Sequence, residues 1–359
     1  MKHKKVYLRA YFGDNLGDDI FVEMVAKRYP DADFLCLRSE KQLRRFPENV
    51  KGVCGLRERL IYRRLRLKSD REASEELDIV LEDKAVKKAD LAVYVVGSGF
   101  MEDDRTIAMD KRDRIFFRSR PYVLGASFGP YENDSFLVKY KKYFDRCKDV
   151  CFRDSFSAKI FSGKARRESD IVFAYDGAED VTMPEGFERY QVIAPASSIA
   201  EREKYVSFLK ECISYAAREG IKTILAVFCK NQGDGKVADE LACDNCLIFE
   251  YPDKKASFMA GLIKGAERVI AVRHHSAVLA MRYSVPVAVL SYNEKTAHMI
   301  DDIGGGAKCL GIDDIADMPA GEFIKNYSFR LEEEKAEELK ASALRQFEAL
   351  DKELGRVRS

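Results

Sequence analysis

Short apolar runs alternate with amphipathic stretches along nearly the whole chain, and their spacing predicts a β-α-β start. Residues 5–11 read as an apolar-rich strand, 13–17 as a glycine-containing loop and 18–28 as an amphipathic helix. Further strands are expected at 33–37, 91–96, 121–126 and 149–152, each followed by a glycine-containing loop or a helical stretch. A second series begins near residue 190, with strands at 191–194, 223–227, 247–249, 268–271 and 287–290, and helices at 201–219, 257–265 and 276–283. Strands alternating with helices make parallel sheets, so the pattern predicts an α/β protein with two Rossmann-like, doubly wound domains.

Residues 178–189, with Pro184 and Gly186, interrupt the periodic pattern and form the expected linker. The expected domains are 1–180 and 190–330. A tail of 331–359 carries a charged, Ala- and Leu-containing helix at 332–354 that is expected to border the hinge. A chain of 359 residues exceeds what one ordinary core holds, which agrees with two domains and makes a cleft between them the default site.

Charge changes the picture little, because 61 basic residues meet 60 acidic ones and the two signs are intermixed. A general nucleic-acid-binding surface is therefore not expected. The local exception is RERLIYRRLRLK at 57–68, which reads either as a solvated helix face or as a patch for a phosphorylated acceptor or an anionic membrane. No apolar stretch has the length of a signal peptide or a membrane span, so a cytoplasmic protein, at most peripheral to the membrane's inner face, is expected. The nine cysteines are scattered, and neither Cys147/Cys151 nor Cys243/Cys246 has a second pair or a nearby histidine. Reduced thiols are expected in place of disulfides or a zinc site, and no metal or bound cofactor is expected.

Three stretches carry candidate chemistry. In GDNLGDD (13–19), Gly13 and Gly17 permit a tight turn, while Asn15 and Asp18 offer short polar groups where a strand enters a helix. Asp18 reads equally well as a helix cap or as a ligand group at the carboxyl end of the first strand. In VGSGFMED (96–103), Gly97, Ser98 and Gly99 form a small-residue loop that suits either an ordinary turn or close approach of a ligand. The most informative stretch is VRHHSAVLAMRYSVPVAVLSYNEK (272–295). There one strand delivers Arg273, His274 and His275 to a helix N-terminus, and the next delivers Tyr292 and Lys295 to the same edge. Helix N-termini attract anions, and Arg and Lys add charge and donors.

Taken in order, these stretches resemble the polysaccharide pyruvyl transferase family. GDNLGDD is similar to its Gly-x-Asn-x-Gly-Asp-Glu signature, VGSGFMED to its glycine-rich loop, and 272–295 to its Arg-x-His … Gly-Val-Pro … Tyr-x-x-Lys block. GASFGP (125–130) and CFRDSFS (151–157) match weaker stretches between them. Three positions depart from the pattern: Asp19 stands for Glu, Gly97-Ser98-Gly99 for three glycines, and Ser284 for the Gly before Val-Pro. The resemblance implies a fold like the B-type glycosyltransferases and transfer of pyruvyl from phosphoenolpyruvate to a saccharide or lipid-linked saccharide. It implies donor binding by Arg273 and Lys295, aided by Tyr292, with His275 as general acid. His274, at a position apolar in the family, is expected to point into the domain. Asn15, Gly17, Asp18 and Gly97–Gly99 are expected on the acceptor side, with Asp18 across the cleft from His275 as an acceptor-positioning group or base. Two other readings stay open: a nucleotide-sugar glycosyltransferase or epimerase of the same architecture, and a non-catalytic binding module.

Overall fold

The computed structural model describes residues 3–67, 71–102 and 107–355. The chain forms two compact units. One comprises Met1–Tyr11, Phe21–Glu168 and Arg345–Ser359, and the other Phe12–Ile20 and Ser169–Leu344.

The first unit is built on β1 (Lys4–Arg9), β2 (Ala32–Cys36), β3 (Val50–Gly52), β4 (Leu91–Val95), β5 (Tyr122–Ala126), β6 (Asp149–Phe152) and β7 (Arg166–Arg167). They form one sheet in the order β3-β2-β1-β4-β5-β6-β7, with every pairing parallel. Helices cover both faces of such a sheet, so central strands read as unbroken apolar runs, and all five residues of β5 are buried. The edges read differently. β3 is only Val-Lys-Gly, and β7 is two arginines, Arg166 being gripped by Asp149 at 2.7 Å and by the carbonyl of Gln346 at 2.6 Å. Hydrogen bonds and charge hold these strands where hydropathy gives no signal.

The second unit repeats the plan with β8 (Tyr190–Ala194), β9 (Lys222–Val227), β10 (Cys246–Glu250), β11 (Arg268–Ala271), β12 (Val287–Ser291) and β13 (Cys309–Gly311), in the order β10-β9-β8-β11-β12-β13. A short β14 (Ser328–Phe329) adds antiparallel to β12. In both sheets the strand order reverses beside the first strand, between β1 and β4 and between β8 and β11. Open α/β sheets bind ligands in the crevice at the carboxyl ends of such strands.

The unit boundary lies at Glu168/Ser169, so residues 178–190 sit wholly inside the second unit. Packing explains this. Ile171–Ala174 is a buried apolar turn of helix within that unit, Arg282 reaches Asp176 at 2.6 Å, and the Tyr283 hydroxyl donates to the Tyr175 carbonyl at 2.9 Å. The tail is not one helix but two, Glu333–Arg345 and Glu348–Leu354. Buried Gln346 lies between them, accepting from the Gly125 N–H at 3.0 Å, and Asp351 binds Arg28 and Tyr29. These bonds fasten the last helix to the first unit. Among the described residues no helix is long and apolar enough to cross a membrane.

Candidate functional site

The second unit gathers polar side chains where β8, β9, β11 and β12 end. Arg273 caps the helix His274–Arg282 directly after β11, and its N–H reaches the carbonyl of Ala194 at the end of β8 at 3.3 Å. Its guanidinium does not stand alone. Nε donates to Asp234 Oδ2 at 2.8 Å, Nη2 to Asp234 Oδ1, and Nη1 to Gln232 at 2.8 Å and to the Tyr292 hydroxyl at 3.4 Å. Asp234 is fully buried and also accepts from the Ser197 N–H at 3.0 Å. Burial works against the Arg273 charge, but the bidentate carboxylate outweighs it and holds the guanidinium's affinity for its proton above the usual range.

The two histidines follow at the helix start. Their rings lie edge to face with centroids 5.1 Å apart, and both turn Nε2 toward one oxygen of Asp170, at 3.4 Å for His274 and 3.7 Å for His275. Asp170 is 1 % exposed and caps the turn Ile171–Ala174. His274 Nδ1 lies 3.4 Å from the Thr296 hydroxyl. His274 is no deeper than its neighbour, with side-chain exposures of 13 % and 12 %. Asp170, His274 and His275 together could hold a divalent ion, since one ligand atom from each lies within 4.8 Å of the others.

The GDNLGDD loop completes this cluster. Phe12–Ile20 belongs to the second unit, so Asn15, Gly17 and Asp18 stand on the same unit as His275 and not across a cleft from it. Backbone pairing is the reason: the Leu16 N–H donates to the Phe228 carbonyl at 3.0 Å, Asn15 bridges Cys229, and Asn231 donates to Asp14 at 2.7 Å. The Asn15 side chain accepts from the Gly17 N–H at 3.1 Å, starting the helix Leu16–Arg28. Asp19 is buried and receives the Tyr251 hydroxyl at 2.6 Å, which makes it an anchor of this loop. Asp18 is half-buried, and its charge is felt at the Cys229 thiol. That thiol is pushed up to about 11, mainly by burial, and so stays protonated and is no nucleophile.

Gly17 is required by contact. A Cβ built there would fall 1.7 Å from His275 Nδ1, whereas real Cβ atoms stay beyond 3.0 Å of such neighbours. Gly17→Ala must therefore push the His275 ring aside or lift the loop. The expected result is a loss of about 1–3 kcal/mol in stability and a fall of about tenfold in turnover, read by thermal unfolding and steady-state rates. A variant with unchanged rate and stability would show that the ring's place is immaterial.

Lys295 and Tyr292 lie just past β12, Lys295 being half-buried in the first turn of the helix Glu294–Ile303. Gly97, Ser98 and Gly99 belong to the first unit. Gly97 and Ser98 pack there against Arg153, since a Cβ on Gly97 would meet Arg153 Nη1 at 3.1 Å and Ser98 Oγ lies 3.5 Å from Nη2, while Gly99 lies against Val96 and Tyr94. Arg153 also donates to Ser127 at 2.9 Å, while Asp154 caps the next helix through the Ser157 N–H at 2.7 Å. Asp103 lies outside the described residues. Three site residues carry no motif signal. Asp170 and Asp234 stand alone before an apolar turn and after a glycine, and Gln232 is one polar residue among several. The only hint in sequence is that Asp234 follows the carboxyl end of β9.

Two parallel-sheet domains, each with a strand-order reversal beside its first strand, place the protein in the structural class of B-type glycosyltransferases and related epimerases. Similar solved structures include a UDP-GlcNAc 2-epimerase of Methanocaldococcus jannaschii in complex with UDP-GlcNAc and UDP (10 % identity, 93 % of this chain and 97 % of that one, TM-score 0.57). Anabaena HepE in complex with UDP and glucose (11 %, 99 % and 100 %, 0.55) and a glycosyltransferase of Rickettsia africae (13 %, 100 % and 100 %, 0.54) share the fold as well. The chain belongs to the polysaccharide pyruvyl transferase family, whose model matches residues 15–294. Within that family pattern Ser284 stands in place of Gly and adopts φ 51, a left-handed conformation that glycine enters more readily.

Proposed function

We propose that the protein transfers a pyruvyl group from phosphoenolpyruvate to two hydroxyls of one sugar in a cell-surface polysaccharide or its lipid-linked precursor, forming a cyclic ketal. The observation that carries this reading is the joint presence, at the start of one helix, of a fixed guanidinium, a histidine and first-turn N–H groups. Phosphoenolpyruvate carries a carboxylate and a phosphate, and its methylene carbon must gain a proton. Arg273 and Lys295 bind the anionic groups, with Tyr292 beside Arg273, and the helix N-terminus adds its dipole. His275 delivers the proton to the methylene carbon as one sugar hydroxyl bonds to the central carbon. The second hydroxyl then displaces phosphate, each hydroxyl having lost its proton. One of these two protons balances the new methyl group, and the other leaves with phosphate or solvent. Asp18 and Asn15, on the loop against His275, orient the acceptor. Gly97, Ser98 and Gly99 are assigned to acceptor contacts of the first unit. The reaction runs in the cytoplasm at the membrane's inner face.

Arg273 already shares its charge with Asp234, and Lys295, in the first turn of the next helix, is assigned the second cationic contact to the donor. Lys295→Ala and Arg273→Ala are each expected to weaken phosphoenolpyruvate binding about tenfold or more, the worth of a charge-assisted contact. Isothermal titration with phosphoenolpyruvate and, separately, with UDP is the test, followed by phosphate release over a panel of free and lipid-linked oligosaccharides. Unchanged donor affinity in both variants, or binding of UDP in place of phosphoenolpyruvate, would overturn the reading in favour of a nucleotide-sugar enzyme.

A further inference from the structure

The basic segment singled out in the sequence belongs to a larger surface of the first unit. Four helices, Leu56–Leu67, Arg71–Lys88, Ile107–Arg118 and Asp134–Phe144, precede β4, β5 and β6. Each crossover steps in the same direction along the sheet, so right-handed connections put all four on one face. Their inner sides share one core through Tyr62, Leu81, Phe116 and Phe144.

The outer side of this layer has a charge balance unlike the chain's. Among the residues of these helices whose side chains are described, the exposed ones include twelve Lys or Arg and two acidic residues, Glu76 and Asp134, in a chain whose net charge is +1. Several half-buried carboxylates of the layer are already engaged: Asp83 by Lys87, Asp110 by Lys139, and Asp78 by Tyr62 and Arg112. Apolar side chains are interleaved with the cations. On the first helix Glu58, Tyr62 and Leu65 face inward, while Leu56 and Leu60, 66 % and 57 % exposed, point outward with Arg57, Arg59, Arg63 and Arg64. Val80 and Val138, each 47 % exposed, stand on two of the other helices. Beside Val138 runs a groove of about 410 Å³ lined by Arg114, Arg118, Lys139, Lys142 and Arg146. Its floor is the Tyr143 ring stacked on Phe117 at 4.7 Å.

We infer that this helical layer docks on an anionic lipid bilayer, its arginines and lysines among the headgroups and Leu56 and Leu60 at the acyl boundary. Cations alone would serve a nucleic acid equally well. Outward leucines one helical turn apart do not, because a phosphate backbone offers them nothing, whereas an interface rewards both burial and charge. Bilayer docking is independent of the donor chemistry, and would bring the enzyme to a membrane-anchored acceptor.

Co-sedimentation of the full-length protein with vesicles tests it. Retention is expected on 70:30 phosphatidylcholine:phosphatidylglycerol, with little on phosphatidylcholine alone, and it should fall steeply as salt rises. Each basic residue near such a surface contributes about fivefold in partitioning, so Arg63→Glu/Arg64→Glu and Lys142→Glu/Arg146→Glu should each lower retention at least about tenfold. Leu56→Ser/Leu60→Ser should also lower it while leaving binding of a single-stranded oligonucleotide unchanged. Thermal unfolding confirms that these surface variants fold. No retention on the anionic vesicles, or retention indifferent to the leucines with tighter binding of the oligonucleotide, overturns the inference. Titration with phosphoenolpyruvate is unaffected by either outcome, so failure here is distinct from failure of the donor assignment.

Discussion

Replacement of His275 by alanine is expected to cut turnover about 100-fold or more while changing phosphoenolpyruvate affinity much less. The expectation follows from where the ring is held. Its Nδ1 edge abuts Gly17, its Nε2 lies 3.7 Å from Asp170, and only 12 % of the side chain meets solvent. A ring fixed on two sides has little orientational freedom left to lose, which suits a group that must deliver a proton along one line. A lost general acid appears in the rate. A lost anion contact appears in the dissociation constant. Single-turnover rates at saturating donor, paired with isothermal titration, separate the two. If His275→Ala weakens donor binding as much as Lys295→Ala and leaves the saturated rate intact, the histidine is a binding residue and the acid must be sought elsewhere. His274→Ala serves as the comparison: facing Asp170 and Thr296, it is expected to lower stability before it lowers the rate.

Much of the fold could be read from the chain because parallel sheets bury their central strands on both faces. Runs such as 122–126 and 190–194 have little choice but to be strands. The edge strands escaped for the same reason in reverse: β7 is Arg166–Arg167, held by Asp149 and by tail carbonyls, and no window of hydropathy marks such a pair. The histidines and Arg273 were legible because they sit together at a strand end. Their carboxylate partners were not, since Asp170 lies 104 residues from His274 and Asp234 39 residues from Arg273, and only folding brings them near. The loop at 12–20 shows a further limit. Its residues were legible as a turn and a helix start, but its membership of the second unit comes from distant partners: a backbone bond to Phe228, a bridge to Cys229, and the side chains of Asn231 and Tyr251 on Asp14 and Asp19. Nothing in local sequence encodes that choice.

The largest stability effect is expected at Asp234, a residue with no place in the motif pattern. Its carboxylate is fully buried and accepts from three donors, Arg273 Nε, Arg273 Nη2 and the Ser197 N–H. Asp234→Ala leaves a guanidinium only 11 % exposed without its counter-charge, and one backbone donor without an acceptor. Breaking a buried pair from one side costs about 3–5 kcal/mol, far more than the pair's net worth, because the remaining charge stays desolvated. Asp234→Asn keeps the shape and part of the hydrogen bonding and should cost less. The double variant Asp234→Ala/Arg273→Leu should recover part of the loss, since no stranded charge remains. Donor binding adds an independent readout. If Asp234 serves to aim Arg273, Asp234→Ala should weaken phosphoenolpyruvate binding about as much as Arg273→Ala does, and the double variant should be no weaker than either single one. Urea unfolding of the four proteins measures the first effect, and isothermal titration the second. A loss below about 1 kcal/mol in Asp234→Ala would mean that Arg273 finds solvent or another partner easily. Additive losses of donor affinity would mean that the two residues meet the ligand separately.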